Sequence, residues 1–217
     1  MTKGATKILH ASREIVPSSL KHLYRRSIRR LRSSPKSWPP EAKQLHLGCG
    51  GNLLPGWANV DLDAAAGAIR HDLTGPFPLP PETVKFIYSE HFIEHITRGQ
   101  ALALLRECHR VLAPGGVIRL STPNLKKLLD EYLAGRTTEW SDVDWHPETT
   151  CQMLNEGMRL WGHQFVYDLD ELTLLLKEAG FRHVNQAAWR ESRHPELKGL
   201  ECRPFHGEII VEAIKLR

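Results

Sequence analysis

Nowhere do apolar residues approach the ~20 in succession that a membrane-spanning helix requires, so no transmembrane span is expected. Cysteine is scarce. Cys49, Cys108, Cys151 and Cys202 stand far apart with no C-x-x-C pair, which argues against a zinc ribbon or a dense disulfide framework and suits a reducing cytosol. No G-K-[ST] occurs, so phosphates are not cradled by a P-loop. Acidic residues are almost missing from the first forty positions, where ten Lys or Arg face Glu14 alone. With an overall charge of +4 and +9 on that arm, the rest of the chain carries 4 − 9 = −5. An acidic remainder offers a phosphate backbone little to bind.

What the chain has is a soluble, globular balance, 41% hydrophobic and 25% charged over 217 residues, enough for one substantial domain with an appendage. The appendage is residues 1–40. Leu20, Leu23, Tyr24, Ile28 and Leu31 recur at three- and four-residue steps among Lys21, Arg25, Arg26, Arg29, Arg30 and Arg32, the pattern of a basic amphipathic helix. Ser33-Ser-Pro-Lys-Ser-Trp-Pro-Pro40 then reads as a linker. Three roles fit the arm: a helix docked on its own domain, an anionic membrane contact through residues 18–32 (or a nucleic-acid contact), and a transit peptide. A cytoplasmic protein, peripheral at a membrane if the arm binds one, is the expectation.

From residue 41 short β-prone runs alternate with helical patterns. Gln44–Leu47, Ala58–Leu62, Ile69–Leu73, Val84–Tyr88 and Val117–Ser121 read as buried parallel strands. Residues 98–112 place Ala101, Leu104, Leu105, Cys108, Val111 and Leu112 on one helical face, with Pro114-Gly-Gly116 as its terminator. A second helix spans about 168–179, and Glu208–Ile214 reads as a last strand near an edge. Interleaving of this kind predicts a doubly wound, Rossmann-like α/β sheet that binds ligands beyond the carboxyl ends of its strands.

The first strand runs into Gly48-Cys49-Gly50-Gly51. A dinucleotide fingerprint fails there, because Leu53 stands at the third glycine and Asp61 comes too early for the usual ribose carboxylate. What remains is a glycine turn, a second strand ending at Asp61 and a third ending at Asp72-Leu73. Carboxylates can receive ribose hydroxyls and a base amine, and glycines let backbone amides meet a carboxylate tail, so the set suits an adenosine without phosphate. Beyond the fourth strand lies His91-Phe-Ile-Glu94-His95, the H-x-x-E-H pattern of inverted zinc metallopeptidases. That reading needs a continuous helix and a third ligand that nothing in the sequence singles out, so no metal is expected. Asp142, Asp144 and His146 are a weaker metal candidate, as acids in a loop are usually just solvated.

Taken together, "LHLGCGGN…NVDLD…HDL…VKFIYSEHFIEHI…LLRECHRVLAPGGVIRLSTPN" resembles the class I S-adenosylmethionine-dependent methyltransferases over about residues 44–217. The resemblance implies a seven-stranded sheet with its last strand antiparallel. It implies S-adenosylmethionine as cofactor, with Gly48, Cys49, Gly50 and Gly51 under the methionine part, Asp61 at the ribose, Asp72 and Leu73 at the adenine, and Ser89, Glu90 and His91 near the sulfonium. The chain departs from the family at Asn52–Trp57, too short for the usual first helix. A helical insertion at 124–167, rich in Trp and Met, is then an acceptor cover, although Met153, Met158 and Trp161 also suit a helix core. His91 and His163 are the candidate proton acceptors, and Arg190, Arg193 and His194 are further polar candidates. A small metabolite or sugar acceptor is expected. A nucleic acid is disfavoured, since Ser89-Glu-His91 replaces the [DN]-P-P-[YF] of amino-methylating DNA enzymes. A non-catalytic cofactor binder is the other alternative.

Overall fold

The computed structural model describes residues 37–39, 41–63 and 67–216, and the arm and the start of the linker lie outside them. Seven strands form one sheet: β1 (Gln44–Leu47), β2 (Ala58–Asp61), β3 (Ile69–Arg70), β4 (Val84–Glu90), β5 (Leu112–Thr122), β6 (Arg182–Gln186) and β7 (Ile209–Ile214). Their order is β3-β2-β1-β4-β5-β7-β6. The strands from β3 through β5 pair in parallel, whereas β7 runs antiparallel to both β5 and β6. Among the described residues the α-helices are α1 (Arg98–Val111), α2 (Leu125–Leu133), α3 (Thr150–Arg159) and α4 (Leu169–Glu178).

Local sequence explains most of these elements. β1 and β4 are buried almost throughout, as central parallel strands covered on both faces must be. Each α-helix opens on a side chain that accepts a backbone N–H of the first turn: Thr97, Asn124, Thr149 and Asp168. Thr97 and Gln100 form a reciprocal capping box. Leu104, Leu105, Cys108 and Val111 of α1 join Leu172, Leu175 and Leu176 of α4 in the main core. Leu128, Trp145 and Met153 make a small separate core inside the insertion, in which Met153 is fully buried.

The structure departs from the sequence expectations in two places. Pro114-Gly115-Gly116 lies within β5, which begins at Leu112 directly after α1. Gly115 (φ +78°) turns the chain there, with its N–H donating to Lys215 and Gly116 accepting from Lys215. β7, read as lying near an edge, is second from it, and β6 forms the edge itself. Trp38, assigned to the linker, stacks on Phe77 at 5.4 Å and meets the edge of His71, so the packed domain begins before residue 41.

The short first crossover also finds its explanation. Residues 48–57 return the chain from β1 to parallel β2 without a helix, and the Asn59 side chain holds them. Its Oδ1 accepts from Leu54 N (2.8 Å), and its Nδ2 donates to the carbonyls of Leu54 and Trp57 (both 3.0 Å). The His46 ring nitrogen Nδ1 lies 3.0 Å from the same Oδ1.

In the sheet's other half, Arg119 is fully buried. It bonds Glu201 (2.7 Å), Glu212 (2.6 Å) and the carbonyls of Glu191 and Ala188, so every charge has a partner.

Candidate active site

The parallel strands all end on one edge of the sheet, and the glycine turn leaves β1 there. Gly48 (φ +67°) and Gly50 (φ +52°) occupy the left-handed region that glycine adopts without penalty. At Gly48 a Cβ would stand 2.5 Å from the Phe92 ring, so only glycine lets this turn touch the segment after β4. Gly50 and Gly51 face open space. The Gly48 and Cys49 amides donate to Val60 O (2.9 and 3.2 Å), tying the turn to β2.

Asp61 closes the cradle. Its Oδ2 accepts from Gly50 N (2.8 Å) and its Oδ1 from Asp63 N (2.7 Å). Each carboxylate oxygen keeps a second acceptor position, enough for a diol. Asn52, unassigned in the sequence reading, places a buried Nδ2 with no hydrogen-bond partner beside the turn. Open glycines, a positioned carboxylate and an orphaned donor fit the amino-acid and ribose parts of S-adenosylmethionine. Cys49 takes no ionic part, since burial and then Asp61 push its thiol up to about 12.

Other expected cofactor residues are only partly suited. Asp72 Oδ1 accepts from Thr74 N (3.0 Å) and Thr74 Oγ1 (2.7 Å), which shapes the turn after β3. Leu73 is buried in the core, so a contact with adenine would come from its backbone rather than its side chain. Ser89 is buried within β4, opposite Leu120. Glu90 is turned away: it accepts from Cys202 N, Cys202 Sγ and Arg203 N, and so anchors the segment leading to β7.

Past β4, the H-x-x-E-H segment is a tight turn with a 3-10 helix at Ile93–His95, not a peptidase helix. His91 takes φ +50°, held by its N–H on Ser121 O (3.0 Å). Its ring sits between two carboxylates, with Nδ1 3.2 Å from Glu94 Oε1 and Nε2 3.6 Å from Glu208 Oε1. Burial opposes charge on this ring, but Glu208 and Glu94 outweigh it and raise its pKa to about 9. That environment favours a ring that holds its proton over one that accepts another. Glu94 is fully buried; burial disfavours its charge, but His91 and His95 outweigh that and hold its carboxyl below the usual range.

His163 arrives from the far end of the insertion. Gln164 N (2.7 Å) and Phe165 N (3.2 Å) donate to Glu94 O, and Gln164 Nε2 donates to His95 O (2.8 Å). These bonds set the His163 ring edge-on to His95, with centroids 5.1 Å apart. His163 Nδ1 donates to Gly157 O (3.0 Å), which leaves Nε2 with a lone pair. Burial lowers the pKa of both His95 and His163, so both rings are neutral at pH 7.

A cavity of about 120 Å³ opens against this cluster, walled by Trp140, Trp161, Asp142, Arg203 and His206. Trp140 stacks on Trp161 and on His206, whose Nε2 lies 2.8 Å from Asp142 Oδ1. Asp142 is thereby separated from Asp144 and His146, which pair with each other at 3.6 Å. Arg193 and His194 line a different cavity of about 510 Å³ toward the amino end of β5, so they are not at this site. Arg190 N donates to Glu201 and likewise serves the Arg119 network. Arg203 and His206 carry no sequence signal that sets them apart; the segment leading into β7 brings them to Trp140 of the insertion.

Comparison with known proteins follows this geometry. A family model described as a methyltransferase domain matches residues 20–186. A probable S-adenosylmethionine-dependent methyltransferase of Mycolicibacterium smegmatis is 41% identical over 56 residues, 26% of this chain and 21% of the relative. The match thus spans about a fifth of that curated relative's length. Among solved structures, an S-adenosylmethionine-dependent methyltransferase from Mesorhizobium loti is 20% identical with TM-score 0.48, covering 82% of this chain and 94% of that one. A possible histamine N-methyltransferase from Thermotoga maritima is 14% identical with TM-score 0.47, covering 91% and 90%.

Proposed function

This chain belongs to the methyltransferase-domain family, and from that premise we propose that it transfers a methyl group from S-adenosylmethionine to an oxygen or nitrogen of a small molecule. One observation carries the reading: Phe92 lies against Gly48 on one side and follows His91 on the other, so the cofactor cradle adjoins the histidine-lined cavity. The cofactor, when bound, supplies an electrophilic methyl on a sulfonium, a good leaving group. The protein's task is then alignment, holding nucleophile and methyl carbon near ~3 Å and in line.

The glycine turn and Asp61 orient the donor. Trp140, Trp161 and His206 offer flat faces to the acceptor, and Arg203 offers a cation. At about 120 Å³ the cavity is below the ~300–1,000 Å³ of drug-sized pockets, which favours a single ring or functional group over a polymer. The His163 lone pair is available at its wall, either to a proton or to a cation. His91 is a positioning residue whose charge stabilises buried Glu94.

Incubating the protein with methyl-labelled S-adenosylmethionine and a panel of phenols, sugars, amines and short nucleic acids, followed by product mass analysis, tests the proposal. A methylated small molecule is expected. Transfer only to nucleic acid would overturn the acceptor class, and absence of S-adenosylhomocysteine binding by calorimetry would overturn the cofactor.

A further inference from the structure

We propose that Glu94, His95 and His163 form a site for one divalent transition-metal ion of the zinc type, with its open face on the acceptor cavity. Each residue presents one donor atom, and the three lie within 4.8 Å of one another. Zinc bonds of ~2.0–2.2 Å bring tetrahedral donors to roughly 3.4 Å apart, so modest rotations of three side chains close the set. Glu94 Oε1 already lies 4.0 Å from His95 Nε2.

The surroundings resemble a prepared site. Metal-bound histidines usually donate their other ring N–H to a fixed acceptor, and bound carboxylates are themselves hydrogen-bonded. Here His163 donates through Nδ1 to Gly157 O (3.0 Å), and Thr122 Oγ1 donates to Glu94 Oε2 (3.0 Å). A second, independent feature is the remaining oxygen. Glu94 Oε1 is fully buried and forms an ion pair with the His91 ring at 3.2 Å, without a hydrogen bond of good geometry. A carboxylate oxygen with one such neighbour keeps lone-pair capacity for an ion.

Donor type narrows the ion. Two imidazoles and one carboxylate suit zinc, cobalt or ferrous iron, whereas magnesium and calcium prefer oxygen throughout. Three protein donors leave a fourth position, and the cavity lies on that side. The H-x-x-E-H segment therefore contributes two donors, Glu94 and His95, while His91 stays outside the set. The third, His163, comes from the end of the insertion. If the methyl-transfer reading holds, an acceptor hydroxyl taking the fourth position releases its proton to solvent water more readily before its oxygen takes the methyl, and His163 acts as ligand rather than base. This role rests on that reading; the binding itself does not.

The test uses full-length protein stripped with a chelator and dialysed, then titrated with Zn²⁺ by calorimetry and with Co²⁺ by visible absorption. One ion per chain is expected, with a tetrahedral Co²⁺ spectrum. His163→Ala should weaken Zn²⁺ at least ~10-fold, Glu94→Gln similarly, and His146→Ala, an exposed histidine elsewhere, not at all. No stoichiometric ion in the wild type, or equal binding in His163→Ala, overturns the site. Circular dichroism checks folding, and if Glu94→Gln does not fold, His163→Ala decides alone. S-adenosylhomocysteine affinity is measured in parallel and should be unchanged in His163→Ala. Its absence alongside retained zinc would refute the methyltransferase reading and leave the metal site standing.

Discussion

Replacing Asn59 with Ala removes a side chain that makes three hydrogen bonds to the helix-free first crossover. Asn59 is 8% exposed, so the groups it leaves behind are poorly hydrated. Three hydrogen bonds to the Leu54 amide, the Leu54 carbonyl and the Trp57 carbonyl disappear, and the His46 Nδ1 loses its neighbour. At a net ~0.5–1.5 kcal/mol each, with some desolvation cost for the stranded amide, the loss is about 2–4 kcal/mol. Urea denaturation should show a lower midpoint with an unchanged slope. Because residues 48–51 lie in the same crossover, S-adenosylhomocysteine affinity should also fall, by roughly 3- to 30-fold. Asn59→Asp is a sharper probe: one oxygen still accepts from Leu54 N, but the other now faces two carbonyls at the former donor's position. A loss below ~0.5 kcal/mol in both variants, with affinity intact, would refute the idea that this side chain templates the crossover.

Gly48→Ala forces a Cβ into the Phe92 ring at φ +67°; it should cost about 2–4 kcal/mol and abolish measurable cofactor binding, read by thermal shift with and without S-adenosylhomocysteine. Asp61→Ala should weaken the cofactor by roughly 1–3 kcal/mol in calorimetry, since it loses charge-assisted acceptors. Arg119→Met leaves Glu201 and Glu212 without their shared cation and should destabilise by about 3–5 kcal/mol in urea. Glu107 has its carboxyl pKa lowered by Arg110 against an opposing burial effect, and it also receives Phe77 N at 2.6 Å. A lowered folded pKa means stability that is full above the ordinary carboxyl range and lost as pH falls through the folded value. Glu107→Gln should therefore flatten the acid side of the stability profile below about pH 4.5, while equal acid sensitivity in both proteins would count against it.

The sequence by itself determined whatever depends on neighbours along the chain. The helices at Arg98–Val111 and Leu169–Glu178 follow from three- and four-residue apolar spacing, whereas α2, α3 and the capping roles of Thr97, Asn124 and Thr149 come from the structure. The glycine turn was legible because positive φ selects glycine, and the carboxylates ending β2 and following β3 were legible because parallel strands must end together. Pro114-Gly-Gly116 was misread because helix-stopping and strand-entering chemistry share the same residues, and only pairing with β4 and β7 distinguishes them. β6 is mostly exposed, so it showed no buried run to read.

Tertiary structure alone decided the charge states and the cluster. His91 became a cation because β7 brings Glu208 to it, and Glu90 was taken up by Cys202 and Arg203. His95 met His163 only through the hydrogen bonds that Gln164 and Phe165 make to Glu94 and His95. Spacing in a sequence encodes which side chains share a face of one element. Which elements meet is set by burial and hydrogen bonding across the whole domain, and pKa values and donor sets follow from that assembly.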